Sequence, residues 1–184
     1  MSERLALIGA GVIGRRHLDA IANTNSAELV AIVDPDPGAR ALADEWHVPH
    51  FQGTAEMLSA ASPAGAIVAT PTEHHAEPAR AALNHGCHLL IEKPIATTLA
   101  EAQKIISLSE AKRAHVLVGH HRRYYPQVEK ARELVQSGAL GKIVTVSGQW
   151  CLKKHDEYYD PDWRKRWQAG PVLTNLIHEM DCLR

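Results

Sequence analysis

The sequence predicts an α/β protein: a doubly wound parallel sheet followed by an incomplete second α+β domain. Three observations predict it. Short apolar runs alternate with helical patterns over residues 1–120, and no hairpin signal joins any two runs. A glycine-rich turn follows the first run. After residue 120 the alternation stops, and a single strand pattern remains.

Leu5-Ala6-Leu7-Ile8 is the first buried strand, and a helix runs from the following turn to about Ile21. Leu29 to Val33 is the second strand. Asp36-Pro37 opens the next helix, since Asp caps and Pro suits a first turn; it ends near Trp46. A weak strand at His50-Phe51 precedes Thr54, which reads as the N-cap of a helix over 55–61. Ala66 to Ala69 is a strand, followed by a helix to Asn84 that Gly86 terminates. His88 to Ile91, a helix over 98–113, and Val116 to Val118 complete the pattern. Right-handed crossovers between such units give a doubly wound sheet.

Beyond residue 120 the pattern predicts a helix over 126–137, a strand from Ile143 to Trp150, and about twenty aperiodic residues, Cys151 to Gly170. Leu173, Leu176, Ile177, Met180 and Leu183 then recur at helical spacing. One strand cannot form a sheet. The expectation is a domain at 1–120 and a second domain, at 121–184, that the chain enters but does not finish.

Composition narrows the class. Among 184 residues, 45% are hydrophobic and 22% charged, which is ordinary globular usage and excludes a disordered or collagen-like chain. The net charge of −1 gives no basic surplus for nucleic acid. Cys87, Cys151 and Cys182 are scattered and odd in number, so neither a disulfide framework nor a zinc signature follows. With no leader pattern and no long apolar run, the expected location is the cytoplasm, away from membranes.

Gly9-Ala10-Gly11-Val12-Ile13-Gly14 lies between a strand and a helix. In that position Gly9 allows the tight turn, Gly11 lets a pyrophosphate approach the backbone, and Gly14 lets helix and strand pack closely. Asp34 stands 20 residues past Gly14, at the end of the second strand, where a carboxylate can accept from ribose hydroxyls. A carboxylate there would repel a 2′-phosphate. NAD is therefore favoured, with NADP left open.

Three further motifs sit at carboxyl ends of strands, the edge where such sheets bind ligands. Thr70-Pro71-Thr72-Glu73-His74-His75 reads as a ligand loop or as simple capping. Glu92-Lys93-Pro94 offers a lysine for proton exchange, or a solvated charge. Gly119 to Tyr124 brings His120 and His121 to the edge as ligands, cleft residues or surface. In the last helical pattern Asn175 and His178 share a face, with Asp181 one turn on. His178 is either a base or a solvent-facing ring. His47-Val48-Pro49-His50 and His85-Gly86-Cys87-His88 lack a partnered second pair, and no metal site is expected.

In order and spacing, the glycine turn, Asp34, Thr70-Pro71-Thr72 with His75, Glu92-Lys93-Pro94, Gly119 to Tyr124, Ser137 to Lys142 and the His178 helix resemble the Gfo/Idh/MocA family (glucose–fructose oxidoreductase, inositol dehydrogenase, rhizopine catabolism). The resemblance implies a Rossmann NAD(P)-binding domain and the start of a substrate and oligomerisation domain. It implies hydride transfer between nicotinamide and a hydroxyl-bearing carbon of a sugar or polyol, and a homo-oligomeric assembly. Lys93 and His178 match the family's catalytic pair. Gly9, Gly11, Val12, Ile13, Gly14, Asp34, Thr70, Pro71, His75, Glu92, Lys93 and His121 fall at cofactor positions. Tyr124, Trp163, Arg164 and Asn175 fall, with Lys93 and His178, at substrate positions. Thr174 stands where many members carry an aspartate, and Thr cannot act as its carboxylate. Two other readings stay open: an NAD-binding protein without turnover, and NAD-assisted glycoside hydrolysis.

Overall fold

A computed structural model describes residues 2–149, 151–160, 162–165, 170 and 172–184, with the side chains of Trp163 and Thr174 outside the description. The chain forms two compact units, Met1–Gly119 and His120–Arg184.

The first unit is a six-stranded parallel sheet. Its strands are β1 (Glu3–Ile8), β2 (Ala27–Val33), β3 (His50–Phe51), β4 (Gly65–Val68), β5 (His88–Ile91) and β6 (Val116–Val118). Their order is β3-β2-β1-β4-β5-β6. Every pairing is parallel. The strand order reverses between β1 and β4, which pair through Ile8 and Val68 at their carboxyl ends. A ligand crevice belongs at that switch point.

Alternation along the strands fills both faces. Ala6, Ile8, Ala31, Val33, Ala66, Val68, Leu89 and Ile91 pack on one side with Met57, Leu58, Ala79, Ala82, Leu83 and Ile105. These come from α3 (Thr54–Ala61), α4 (Ala76–Asn84) and α5 (Leu99–Lys112). Leu7, Ile32 and Ile67 face the other way, toward Leu18, Ile21, Leu42 and Ala43 of α1 (Val12–Ala22) and α2 (Ala39–Glu45). Leu7 and Leu83 are wholly enclosed; burying each contributes roughly 2–3 kcal/mol.

Local starts differ from expectation in three places. The second helix begins at Ala39, not at Pro37, because Asp36 spends its groups on a turn: its Oδ1 accepts the Gly38 N–H at 2.9 Å and its carbonyl accepts the Ala39 N–H at 3.0 Å. Gly53, not Thr54, occupies the cap of α3, and Thr54 is buried as the first helical residue. Thr72 starts a short 3-10 turn and makes no capping bond to α4. One cap went unread in the sequence. The Thr98 Oγ1 accepts the Glu101 N–H at 3.2 Å, and the Thr97 and Thr98 hydroxyls donate to the Glu101 carboxylate.

The second unit contains a 3-10 turn at His121–Tyr124 and α6 (Pro126–Gln136), with Pro126 in its first turn, as the sequence predicts. The expected strand from Ile143 is not formed. Residues 143–149 are irregular and Val144 is 89% exposed; Trp150 lies outside the described residues. An extended segment needs a neighbouring strand for its backbone groups, and none of the described residues of this unit supplies one. The aperiodic stretch carries 3-10 turns at Asp156–Tyr159 and Asp162–Lys165. The last helical pattern is split: a π-helical segment, Val172–Leu176, leads into α7 (Ile177–Cys182). Among the described residues, no helix is long and apolar enough to cross a membrane.

Candidate functional site

The turn between β1 and α1 is shaped by its glycines. Gly9 has φ +100°, and a Cβ there would stand 2.6 Å from the Thr70 amide nitrogen. The glycine turn and the Thr70 loop thus touch backbone to backbone at the switch point. A Cβ on Gly14 would lie 2.0 Å from the Gly9 carbonyl oxygen, so α1 can approach β1 only with glycine here. Gly11 is different: a Cβ there meets no heavy atom of the described residues within 4 Å. The space above Gly11 is open. Neither a side-chain cap nor a first-turn acid neutralises the start of α1, so its amide groups and positive dipole end face that space. Val12 is 70% exposed beside it.

Asp34 closes the other side of the turn. Its Oδ2 accepts the Ala10 N–H at 2.7 Å and its Oδ1 accepts the Asp36 N–H at 2.9 Å. A carboxylate has about four acceptor positions, so two remain for hydroxyl donors. The His50 Nε2 lies 2.9 Å from the Asp34 carbonyl oxygen. Sequence reading did not show that Asp34 also holds the glycine turn.

His75 is almost fully buried at the junction of two loops. Its Nδ1 lies 2.9 Å from the Pro94 carbonyl oxygen and its Nε2 lies 2.9 Å from the Thr70 carbonyl oxygen. Burial pulls its pKa below the usual 6.5, against the opposing pull of those carbonyls and of Glu92. A neutral ring donates from one nitrogen only. One of the two carbonyls thus receives the ring N–H, and the buried ring packs between the Thr70 loop and the Lys93-Pro94 turn. Thr70 donates its hydroxyl to the His74 carbonyl at 3.1 Å, and Pro71 precedes the 3-10 turn.

Glu92 and Lys93 follow β5, and the Lys93–Pro94 peptide is cis. The Glu92 Oε1 sits 2.8 Å from the His17 Nε2 on α1, and its Oε2 accepts the Lys93 N–H at 3.2 Å. A Cβ on Gly119 would come within 3.0 Å of the same carboxylate. Burial would raise the Glu92 pKa, but the hydrogen bond and charge of His17, with the amide and charge of Lys93, hold it below the ordinary value. Lys93 itself is half-buried. His17 escaped sequence reading. Its one signal was a histidine three residues past Gly14, on the helix face that glycine turns toward the sheet.

In the second unit His178 is 5% exposed, so the solvent-facing alternative fails. The His121 ring meets it edge-on at 4.8 Å between centroids, and the His120 ring at 6.1 Å. The His120 Nδ1 stands 3.9 Å from Asp181 Oδ2, and Arg123 donates twice to the Asp181 carboxylate. Burial would raise the Asp181 pKa, but Arg123 and the charges of His120 and Arg184 bring it below its usual value. Arg122 pairs with Glu179. These arginines anchor the turn carrying His121 to the helix carrying His178.

Tyr124 is exposed. Asn175 is half-buried in the π-helical segment. Arg164 stacks 4.3 Å over the Tyr158 ring and donates to the Tyr158 carbonyl at 2.8 Å. The side chains of Trp163 and Thr174 lie outside the described residues. Lys93 belongs to the first unit and His178 to the second. Among the described residues, no cluster of three or more His, Cys, Asp or Glu could hold a metal ion.

Comparison with known proteins bears on this arrangement. Residues 3–120 match the model of the oxidoreductase family with an NAD-binding Rossmann fold, GFO_IDH_MocA. Residues 128–184 match the GFO/IDH/MocA C-terminal domain. The chain is 29% identical over 182 residues to the rhizopine catabolism protein MocA of Rhizobium meliloti, covering 98% of this chain and 56% of that protein. It is 29% identical over 187 residues to an inositol 2-dehydrogenase of Corynebacterium glutamicum, covering 99% and 53%. The chain thus spans about half the length of these curated relatives. Among solved structures, the WlbA dehydrogenase of Bordetella pertussis, in complex with NADH and UDP-GlcNAcA, is 26% identical with a TM-score of 0.74, over 77% of this chain and 44% of that one.

Proposed function

The chain belongs to the GFO/IDH/MocA oxidoreductase family, and from that premise we propose that it transfers hydride between NAD and a hydroxyl-bearing carbon of a cyclic polyol or sugar. The observation that carries the reading is the open space above Gly11. It is bordered by unneutralised amides of α1 and by a carboxylate with acceptor positions to spare. An anion followed by a ribose fits that donor and acceptor set. The names of the relatives support the proposed substrate class: one is an inositol 2-dehydrogenase, and one was solved with a nucleotide sugar.

When bound, NAD supplies the hydride acceptor. The amides of Val12 and Ile13 would donate to the pyrophosphate, and Asp34 would accept from a ribose of the cofactor. Asp34 also repels a 2′-phosphate, which favours NAD over NADP. Thr70 and Pro71 would border the cofactor, and the family resemblance assigns His121 to it as well. His75 sets the cofactor edge by holding the loops of Thr70 and Pro94 together. Lys93 directs its ammonium to the substrate oxygen and lowers the cost of its deprotonation. The His178 imidazole accepts the hydroxyl proton at a ring nitrogen. Tyr124, Arg164 and Asn175 would contact the hydroxyls of the substrate, and Trp163 is assigned there by the resemblance alone. A panel of inositols and sugars with NAD, followed by absorbance at 340 nm, tests the reading. We expect NADH formation with at least one polyol, and a loss of about 100-fold or more in Lys93→Ala and in His178→Ala with melting temperature kept. Activity unchanged in both variants would overturn it.

A further inference from the structure

The His17–Glu92 pair joins two elements that the proposed reaction uses separately. His17 lies on α1, the helix whose first turn faces the pyrophosphate space. Glu92 precedes Lys93. The pair is separated by 75 positions in sequence, yet its atoms are 2.8 Å apart and its side chains are 19% and 14% exposed. Glu92, as a carboxylate, can only accept, so the His17 Nε2 carries the hydrogen. The second Glu92 oxygen accepts the Lys93 N–H. Gly119, at the end of β6, leaves the room that this carboxylate fills. One carboxylate is thus held by a helix side chain, by the backbone of the catalytic turn and by a missing side chain on the neighbouring strand.

We propose that His17 is a positioning residue for Lys93: by holding the Glu92 carboxylate, it fixes the Lys93 turn relative to the helix that receives the cofactor phosphates. The proposal rests on the reading of Lys93 given above. His17 touches neither the hydride path nor the substrate; it acts through Glu92. A histidine suits this position because it donates from a rigid ring, whose Nε2 lies 2.8 Å from the Glu92 Oε1. Among the described residues, the charged and titratable groups acting on the Glu92 carboxylate include His17 from α1, Lys93 from its own turn and His75 from the start of α4.

The test uses the whole chain and NADH, with His17→Ala, His17→Gln, Lys93→Ala and the His17→Ala/Lys93→Ala double variant. Melting temperature checks the fold of each. NADH affinity is measured by fluorescence. The Lys93 backbone amide is followed by NMR through an acid titration, because its hydrogen bond reports the ionisation of Glu92. We expect His17→Ala to weaken NADH about tenfold and to raise the pH at which the Lys93 amide responds. His17→Gln, which keeps a donor, should stay within about threefold of wild type. The double variant should bind no more weakly than Lys93→Ala alone, since coupled groups are not additive. Where Lys93→Ala weakens binding, additive losses, or an unchanged affinity in His17→Ala, would overturn the proposal. If Lys93→Ala itself leaves affinity unchanged, the reading of Lys93 at the cofactor fails. The amide titration then decides alone: a shift in His17→Ala supports the clamp, and its absence overturns it.

Discussion

Gly11→Ala and Gly14→Ala add the same methyl group three residues apart, and the structure assigns them opposite consequences. At Gly14 the new Cβ would stand 2.0 Å from the Gly9 carbonyl oxygen, 3.1 Å from the carbonyl carbon and 3.4 Å from Leu7 Cδ2. Real Cβ contacts essentially never fall under 3.0 Å, so the helix must retreat from the turn by at least about 1 Å. The turn cannot yield easily, because the Gly9 N–H is bonded to the Val33 carbonyl at 2.8 Å. Retreat would also open the packing of Leu18 and Ile21 on Leu7 and Ile32. Overpacking of this kind costs about 3 kcal/mol. For a chain of this size that is a fall of roughly 6–12 °C in melting temperature. At Gly11 the backbone has φ −69° and the methyl group meets nothing. Melting should be unchanged or slightly raised, since Ala has less freedom to lose on folding. NADH affinity should nevertheless fall at least about tenfold, because the methyl group fills the space assigned to the pyrophosphate. Far-UV circular dichroism melts and NADH titrations read both effects. Gly14→Ala melting with wild type, or Gly11→Ala binding NADH as wild type does, would refute the reasoning.

Other consequences follow from the loops. His75→Ala removes a buried ring from two carbonyls and should cost about 2–4 kcal/mol, read by urea unfolding; a loss under about 1 kcal/mol would show that the loops hold without it. The pKa of His75 is lowered in the folded state, so acid favours the unfolded chain. Its contribution is complete above pH 6.5 and is lost as pH falls below that value. Glu92 is also lowered, and its contribution is complete above pH 4.5 and lost as pH falls through its folded value. The melting temperature should therefore fall from pH 7 to pH 5, and less steeply in His75→Asn; parallel curves would contradict the assignment. Asp34→Ala leaves the Ala10 N–H without its acceptor and removes the carboxylate that repels a 2′-phosphate. Calorimetry should show NAD binding weakened about tenfold or more and the preference for NAD over NADP reduced; an unchanged ratio would refute that role.

Much of the first unit was legible because its signals are local. Runs such as Leu5 to Ile8 and Leu29 to Val33 are apolar on both faces, as a strand covered by helices on each side must be. The glycine turn shows itself because backbone contact at Gly9 and Gly14 tolerates no other residue. What stayed hidden depends on pairs distant in sequence. Nothing near His17 announces Glu92, and nothing near His75 announces the Pro94 carbonyl. The segment from Ile143 misled for a related reason: its alternation fits a strand, but a strand forms only where another offers its edge. Asp36 misled through chemistry, since the side chain that caps a helix also closes a turn.

The central claim is that this chain's residues direct a hydride from a substrate carbon to NAD. The most direct measurement supplies a polyol found active in the panel, deuterated at its carbinol carbons, with NAD, and analyses the cofactor by mass spectrometry. The expected result is reduced cofactor one mass unit heavier than NADH, formed at a rate that falls in Lys93→Ala and in His178→Ala. Reduced cofactor without deuterium, or oxidised product with NAD unchanged, would contradict the account.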